Sequence, residues 1–166
     1  MNNNIEIDQD LKRLIESHPR LFRGQAPAIP SYVSAGWYAL IDTLCSDIET
    51  VLGSEACVYF EVRQIKQKFG TLRFYYRLGE CVDIHVDVMS SQGRQHFVGR
   101  QAGNDKVQEV HAARVRELVD TTCAASESVC EKCGASAQLH DLGGYLTTLC
   151  DQHLAEVMAN RSRRTS

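Results

Sequence analysis

Cys130-Glu-Lys-Cys133-Gly134 and Cys150-Asp-Gln-His153, with sixteen residues between Cys133 and Cys150, form two close pairs of metal-ligand residues joined by a short loop. That grammar matches a tetrahedral zinc site. Two cysteines three positions apart can turn both sulfurs to one point, and Gly134 permits the tight backbone such a knuckle needs. The second pair falls where a helix is expected to begin, Leu149-Cys-Asp-Gln-His-Leu-Ala-Glu-Val-Met-Ala159. Residues three apart on a helix share a face, so Cys150 and His153 can close the same sphere. With all four positions filled by protein, the expected role is structural, because a catalytic zinc keeps one position for water. The expected cofactor is therefore one structural Zn²⁺ held by Cys130, Cys133, Cys150 and His153.

Gly143-Gly144 supplies a turn inside the loop, so the unit reads as knuckle, hairpin and helix, a treble-clef-like arrangement. Such units serve as nucleic-acid binders, as HNH-type nucleases or as plain staples. For the nuclease, a general-base histidine and a second metal-binding residue belong on the hairpin and helix. His140-Asp141 lies in the right loop, but the loop is short and the four ligand positions are already taken. The staple has a physical rationale: a zinc site contributes on the order of 10 kcal/mol of folding free energy to a unit with almost no core of its own.

Working outward, the 166 residues accommodate one domain with a small appendage, and 43% hydrophobic residues supply a core. The formal net charge is −3, and three ligand thiolates with one Zn²⁺ take it to −4. That balance argues against a protein living on a DNA backbone, though a local basic patch remains compatible with it. Of the seven cysteines, three are ligand-type and Cys45, Cys57, Cys81 and Cys123 show no disulfide framework. Cys45 and Cys57 read as small buried hydrophobes. The opening residues lack a signal-peptide pattern and no apolar run approaches a membrane span, so a reducing cytosol is the expected compartment.

The body reads as α+β. Asp8 to Ser17 forms a short helix with Leu11, Leu14 and Ile15 on one side, ended by His18-Pro19. Trp37, Leu40, Ile41, Leu44, Ile48, Val51 and Leu52 mark the clearest helix, with Ser34 as N-cap and Gly53 as stop. The period then becomes two. Val58, Phe60 and Val62 alternate with Tyr59, Glu61 and Arg63; Leu72, Phe74, Tyr76 and Leu78 alternate with Arg73, Tyr75 and Arg77. Val82, Ile84, Val86 and Val88 predict a third strand and Arg94 to Val98 a fourth, around a turn at Ser90-Ser-Gln-Gly93. Asp105 and Gln108 resemble a capping box opening a helix to about Ala125, with Val107, Val110, Leu118 and Val119 facing the core. The expected fold is a small antiparallel sheet with flanking helices and a C-terminal treble-clef-like zinc-binding unit. The expected division is 1–126 for the body, 127–160 for the zinc unit packed on it, and 161–166 for a basic disordered tail.

His18-Pro-Arg-Leu-Phe-Arg23, Ser34-Ala-Gly-Trp-Tyr-Ala-Leu-Ile-Asp42, Val62 to Tyr76 and the Cys130 to His153 pattern together resemble a family of small bacteriophage and prophage proteins. The likeness covers most of the chain, with residues 81–104 as an insertion that forms either a hairpin or a partner-binding segment. It implies a phage-type accessory protein acting inside a bacterium, with no catalytic residues to carry over.

If the strand pair buries one face, Arg63, Arg73, Tyr75 and Arg77 present cations and aromatics on the other. Tyrosine and arginine there suit a protein partner as well as nucleic acid. Arg20 and Arg23, flanking Phe22, form a second candidate segment. The functional expectation is a non-enzymatic accessory protein that binds a host protein or protein complex and modulates it, a host-defence inhibitor being one case. The alternatives are a nucleic-acid-binding regulator and an HNH-like metal-dependent nuclease.

Overall fold

The alternating segments on either side of Phe69-Gly70 build the centre of the molecule. A computed structural model of the chain describes residues 8–79, 81–90, 93–100 and 106–164. The strands β1 (Phe60–Lys68), β2 (Thr71–Leu78), β3 (Cys81–Ser90) and β4 (Gly93–Arg100) lie in the order β1-β2-β3-β4, every pair antiparallel. The β1–β2 turn is tighter than the pattern implied: only Phe69 and Gly70 intervene, both at positive φ (57° and 75°), the backbone that matches strand twist in a two-residue hairpin.

Before the sheet come α1 (Gln9–Ser17), α2 (Pro19–Phe22) and α3 (Tyr38–Ala56), the last entered through a short 3₁₀ turn, Ala35–Trp37. Asp8 caps α1 by accepting from the Asp10 N–H at 2.8 Å. His18-Pro19 ends α1 as expected, but the chain starts a new helical turn there, since proline is preorganised for a first helical position. Leu21 and Phe22 are thereby buried, and Arg23 closes the turn at φ 54°. After the sheet, α4 (Lys106–Ala125) packs against α3 and β2. The core lies between these helices and one sheet face: Trp37, Ile41, Leu44 and Ile48 meet Phe60, Val62, Ile65, Leu72 and Phe74. The Phe60 and Tyr76 rings stack with centroids 5.2 Å apart.

Several expectations need correction. Val58 does not join the strand face; it sits in a 3₁₀ turn before β1 and is 62% exposed. A bulge at Arg63 shifts the β1 register between Val62 and Gln64, which lets Ile65 rejoin the core side despite its odd parity. Gly53 kinks rather than ends its helix: φ is 62° there, and helical structure resumes to Ala56. On α4, Val110 is 72% exposed, and Val115, which the periodic reading passed over, is fully buried beside Val119. Its position puts it on the stripe with Val119 and Leu118, a spacing that longer inspection of α4 alone could have found. The tail Arg161 to Arg164 is not separate: α5 (Asp151–Arg164) runs through it. Residues 1–7, the Asp105 cap and the turn at 91–92 lie outside the described residues.

β3 and β4 pair antiparallel from Asp83↔Arg100 to Ser90↔Gly93. β3 is joined to β2 by only two pairs, Arg77↔Val82 and Leu78↔Cys81. Beyond those pairs β3 departs from the β2 ladder, and its Asp87 reaches Arg73 (3.2 Å) and Lys68 (2.9 Å).

Candidate metal centre and the surfaces around it

Three local devices bring the four ligands together. The first is the knuckle. Gly134 N–H donates to Cys130 O at 2.9 Å and Cys130 N–H to Ala135 O at 2.8 Å, a turn that Gly134 closes at φ 78°. The second is the hairpin of β5 (Gln138–Asp141) and β6 (Leu146–Leu149), which turns through Gly143-Gly144. The third is α5, whose first turn presents His153 beside Cys150, the residue just before the helix.

All four ligand atoms lie within 4.8 Å of one another. Cys133 Sγ and Cys150 Sγ are 3.8 Å apart; His153 Nδ1 is 3.5 Å from Cys130 Sγ and 3.2 Å from Cys150 Sγ. A tetrahedron with Zn–S near 2.3 Å and Zn–N near 2.05 Å has S···S edges of roughly 3.8 Å and S···N edges of roughly 3.5 Å. The donor set therefore fits one zinc-sized ion, and the sulfurs are too far apart for a disulfide. Cys45, Cys57, Cys123, Cys130, Cys133 and Cys150 are free thiols.

The electrostatics favour a thiolate at the knuckle. Burial alone pushes Cys130 up, but the backbone N–H groups of Cys150, Lys132 and Cys133 outweigh it and hold the thiol at about 6. Cys133 is held high: the Ala135 N–H lowers it, and burial together with the neighbouring sulfurs of Cys130 and Cys150 more than reverses that. A proton shared among crowded sulfurs is what a divalent cation displaces. With Nδ1 turned to the sulfurs, Nε2 of His153 faces Glu156 Oε2 at 4.0 Å.

Hydrogen bonds fasten the unit to the body at the 3₁₀ turn and at the β1–β2 turn, and Arg94 of β4 donates to Glu127 Oε1 at 3.1 Å. At the 3₁₀ turn, Gly36 N–H donates to Glu131 O (3.0 Å) and Trp37 Nε1–H to Val129 O (2.8 Å). At the β1–β2 turn, Thr148 Oγ1 donates to Gly70 O (2.6 Å) and Gln67 Nε2 to Leu146 O (2.7 Å). At Gly36 the two backbones approach closely: a Cβ there would collide with Cys130 O and lie 2.6 Å from the amide nitrogens of Cys133 and Gly134. Sequence reading missed this contact, although the glycine immediately before Trp37 was the available sign.

His140 lies half-buried on β5, and its Nε2 is 3.2 Å from Leu149 O, so that nitrogen donates within the hairpin. Cys45 and Cys57 are buried, and burial pushes both thiols up, reinforced by Glu49. Cys123 is likewise raised by burial, to about 11.

The outward face of the sheet differs from expectation at its middle. Arg73 is buried, with Nη1 on Thr71 Oγ1 and Nη2 on Asp87. The cause is β3, which supplies Asp87 as counter-ion. Tyr75 is half-buried under Lys66, whose Nζ is 5.1 Å from the ring centre. Arg77 is exposed and donates to Gly79 O. Arg63 pairs with Glu61 at 2.8 Å. Arg20 and Arg23 are exposed on α2 and just after it, with Arg23 donating to Val58 O. Arg77 lies across the strands from Glu61, the residue that pairs with Arg63.

Sequence reading found no partners for His18. In the fold its buried ring lies between Glu49 Oε2 (2.9 Å from Nδ1) and Asp42 Oδ1 (3.1 Å from Nε2). The ring thereby links the α1–α2 junction to two residues of α3. Asp42 and Glu49 lie seven apart on one helix face, which was legible; the distant histidine was not.

No protein-family model matches the chain, and comparison with curated proteins and with solved structures finds no match either. Among the described residues, no helix is long and apolar enough to cross a membrane.

Proposed function

We propose that the chain is a non-enzymatic, zinc-stapled accessory protein of the phage type, acting in the bacterial cytoplasm by binding a host protein or protein complex. The carrying observation is the donor set: three sulfurs and one imidazole within 4.8 Å of one another, enough to fill four positions from the protein alone. A site so filled offers no position for a substrate or reactive water, which favours a staple over a catalytic centre. In this reading Cys130, Cys133, Cys150 and His153 hold the ion, and its chemistry is to cross-link the knuckle to α5. The treble-clef-like unit then presents surface at its seam with the sheet. The phage assignment and the host-defence target rest on the sequence resemblance.

The protein-partner reading is preferred to nucleic acid because Arg73 is already neutralised by Asp87 and Arg63 is paired with Glu61. Affinity capture from bacterial lysate, read by mass spectrometry, tests it. The expected result is one host protein recovered by the wild type and lost with Cys133→Ser, which undoes the staple. Recovery of nucleic acid alone, released by moderate salt, would contradict the reading.

A further inference from the structure

An open cavity of about 340 Å³ lies at the seam between the sheet and the Cys/His unit. Tyr32, Ser34 and Gln67 line it from the body; Glu131, Lys132 and Tyr145 line it from the other side. That volume sits at the small end of ligand sites, roughly 300–1,000 Å³, and suits one side chain rather than a nucleotide. Tyr32 and Tyr145 are 61% and 58% exposed, an unusual outlay of aromatic surface at one opening. Such residues serve as anchors for partners, and their ring faces attract cations.

The wall carries one acidic side chain, Glu131, and one basic side chain, Lys132. Glu131 Oε1 accepts from Thr147 Oγ1 at 2.7 Å, but its Oε2 is shielded from solvent without a hydrogen-bond partner. A carboxylate so placed is costly unless a cation approaches it. Its field is felt at the opening: burial raises the Tyr145 phenol, and the Glu131 charge raises it further. Gln67 commits its NH₂ to Leu146 O, which leaves its carbonyl oxygen as an acceptor. Lys132 is exposed and forms no ion pair with Glu131 among the described residues.

We propose that this cavity binds the guanidinium of an arginine side chain presented by a protein partner. Two tyrosine rings offer stacking surface for the planar cation, Glu131 supplies the opposite charge, and Gln67 and Ser34 offer acceptors to its N–H fork. Because residues on both sides of the seam form the cavity, the metal staple preorganises it. The inference names a ligand class for the binding reading above, and its test does not depend on finding the partner.

The probe is Nα-acetyl-L-argininamide, titrated into the metal-loaded full chain and followed by backbone amide shifts. The neutral isostere Nα-acetyl-L-citrullinamide is the control. The expected result is saturable shifts around Tyr32, Glu131 and Tyr145, with citrulline at least about tenfold weaker. Glu131→Gln should weaken arginine binding by about tenfold, and Tyr32→Leu and Tyr145→Leu by about threefold each. Lys132→Ala should strengthen it, since a competing cation is removed. Metal content and the remaining amide spectrum report whether each variant is folded. If Glu131→Gln disturbs the adjacent ligand Cys130, the two tyrosine variants carry the test. Equal responses to the two probes, no response to either, or weaker binding in Lys132→Ala would overturn the proposal. A host partner captured with arginine amide inert would leave the accessory-protein reading standing and remove only this site.

Discussion

Trp37→Ala destabilises the protein by about 4 kcal/mol, the range for large aromatics removed from cores. Trp37 is 1% exposed, fills the space where α3 begins over the sheet, and donates to Val129 O just before the knuckle. Truncation leaves a cavity and also strands a carbonyl at the seam. Trp37→Phe keeps most of the volume but loses the donor, so it falls between wild type and alanine. Urea denaturation of the three proteins checks the order. An alanine variant within about 0.5 kcal/mol of wild type, the usual size of a surface effect, would mean that the core is elsewhere.

Gly36→Ala carries the second large effect. The added methyl meets three backbone atoms of the knuckle, Cys130 O and the amide nitrogens of Cys133 and Gly134. No rotamer change relieves a clash with backbone, so either the 3₁₀ turn or the knuckle must shift. A cost of about 3 kcal/mol is expected, the upper part of the usual overpacking range. Because the displaced atoms hold the ligand loop, metal affinity should fall by about tenfold, as for groups that orient ligands. Competition against a colorimetric chelator reads the second quantity and thermal melting the first. Wild-type values for both would show that the seam is looser than described.

The parts of the fold that were legible in the sequence are those with local causes. The zinc-type spacing, the apolar stripe from Trp37 to Leu52 and the alternation through Leu72, Phe74, Tyr76 and Leu78 each depend on neighbours within a few residues. They place the Cys/His cluster, α3 and the buried face of β2 correctly. The misreadings have distant causes. Arg73 alternates as an outward residue does, and only the return of β3 from elsewhere in the chain brings Asp87 to bury it. His18 finds Asp42 and Glu49 across a helix-to-helix contact with no sequence periodicity. The seam cavity belongs to the same class, because its two walls come from segments about a hundred residues apart in sequence, Tyr32 and Glu131. Surfaces made by tertiary contact are invisible to pattern reading, while ligand spacing is not.

The central claim is that Cys130, Cys133, Cys150 and His153 hold one structural Zn²⁺. Elemental analysis of protein purified without added metal, paired with melting before and after a strong chelator, measures it most directly. The account predicts close to one equivalent of zinc per chain, lost on single replacement of any of the four residues. It also predicts a marked fall in melting temperature on chelation, because the ion contributes on the order of 10 kcal/mol to ordering its unit. A metal-free protein whose melting is the same with and without chelator would contradict it.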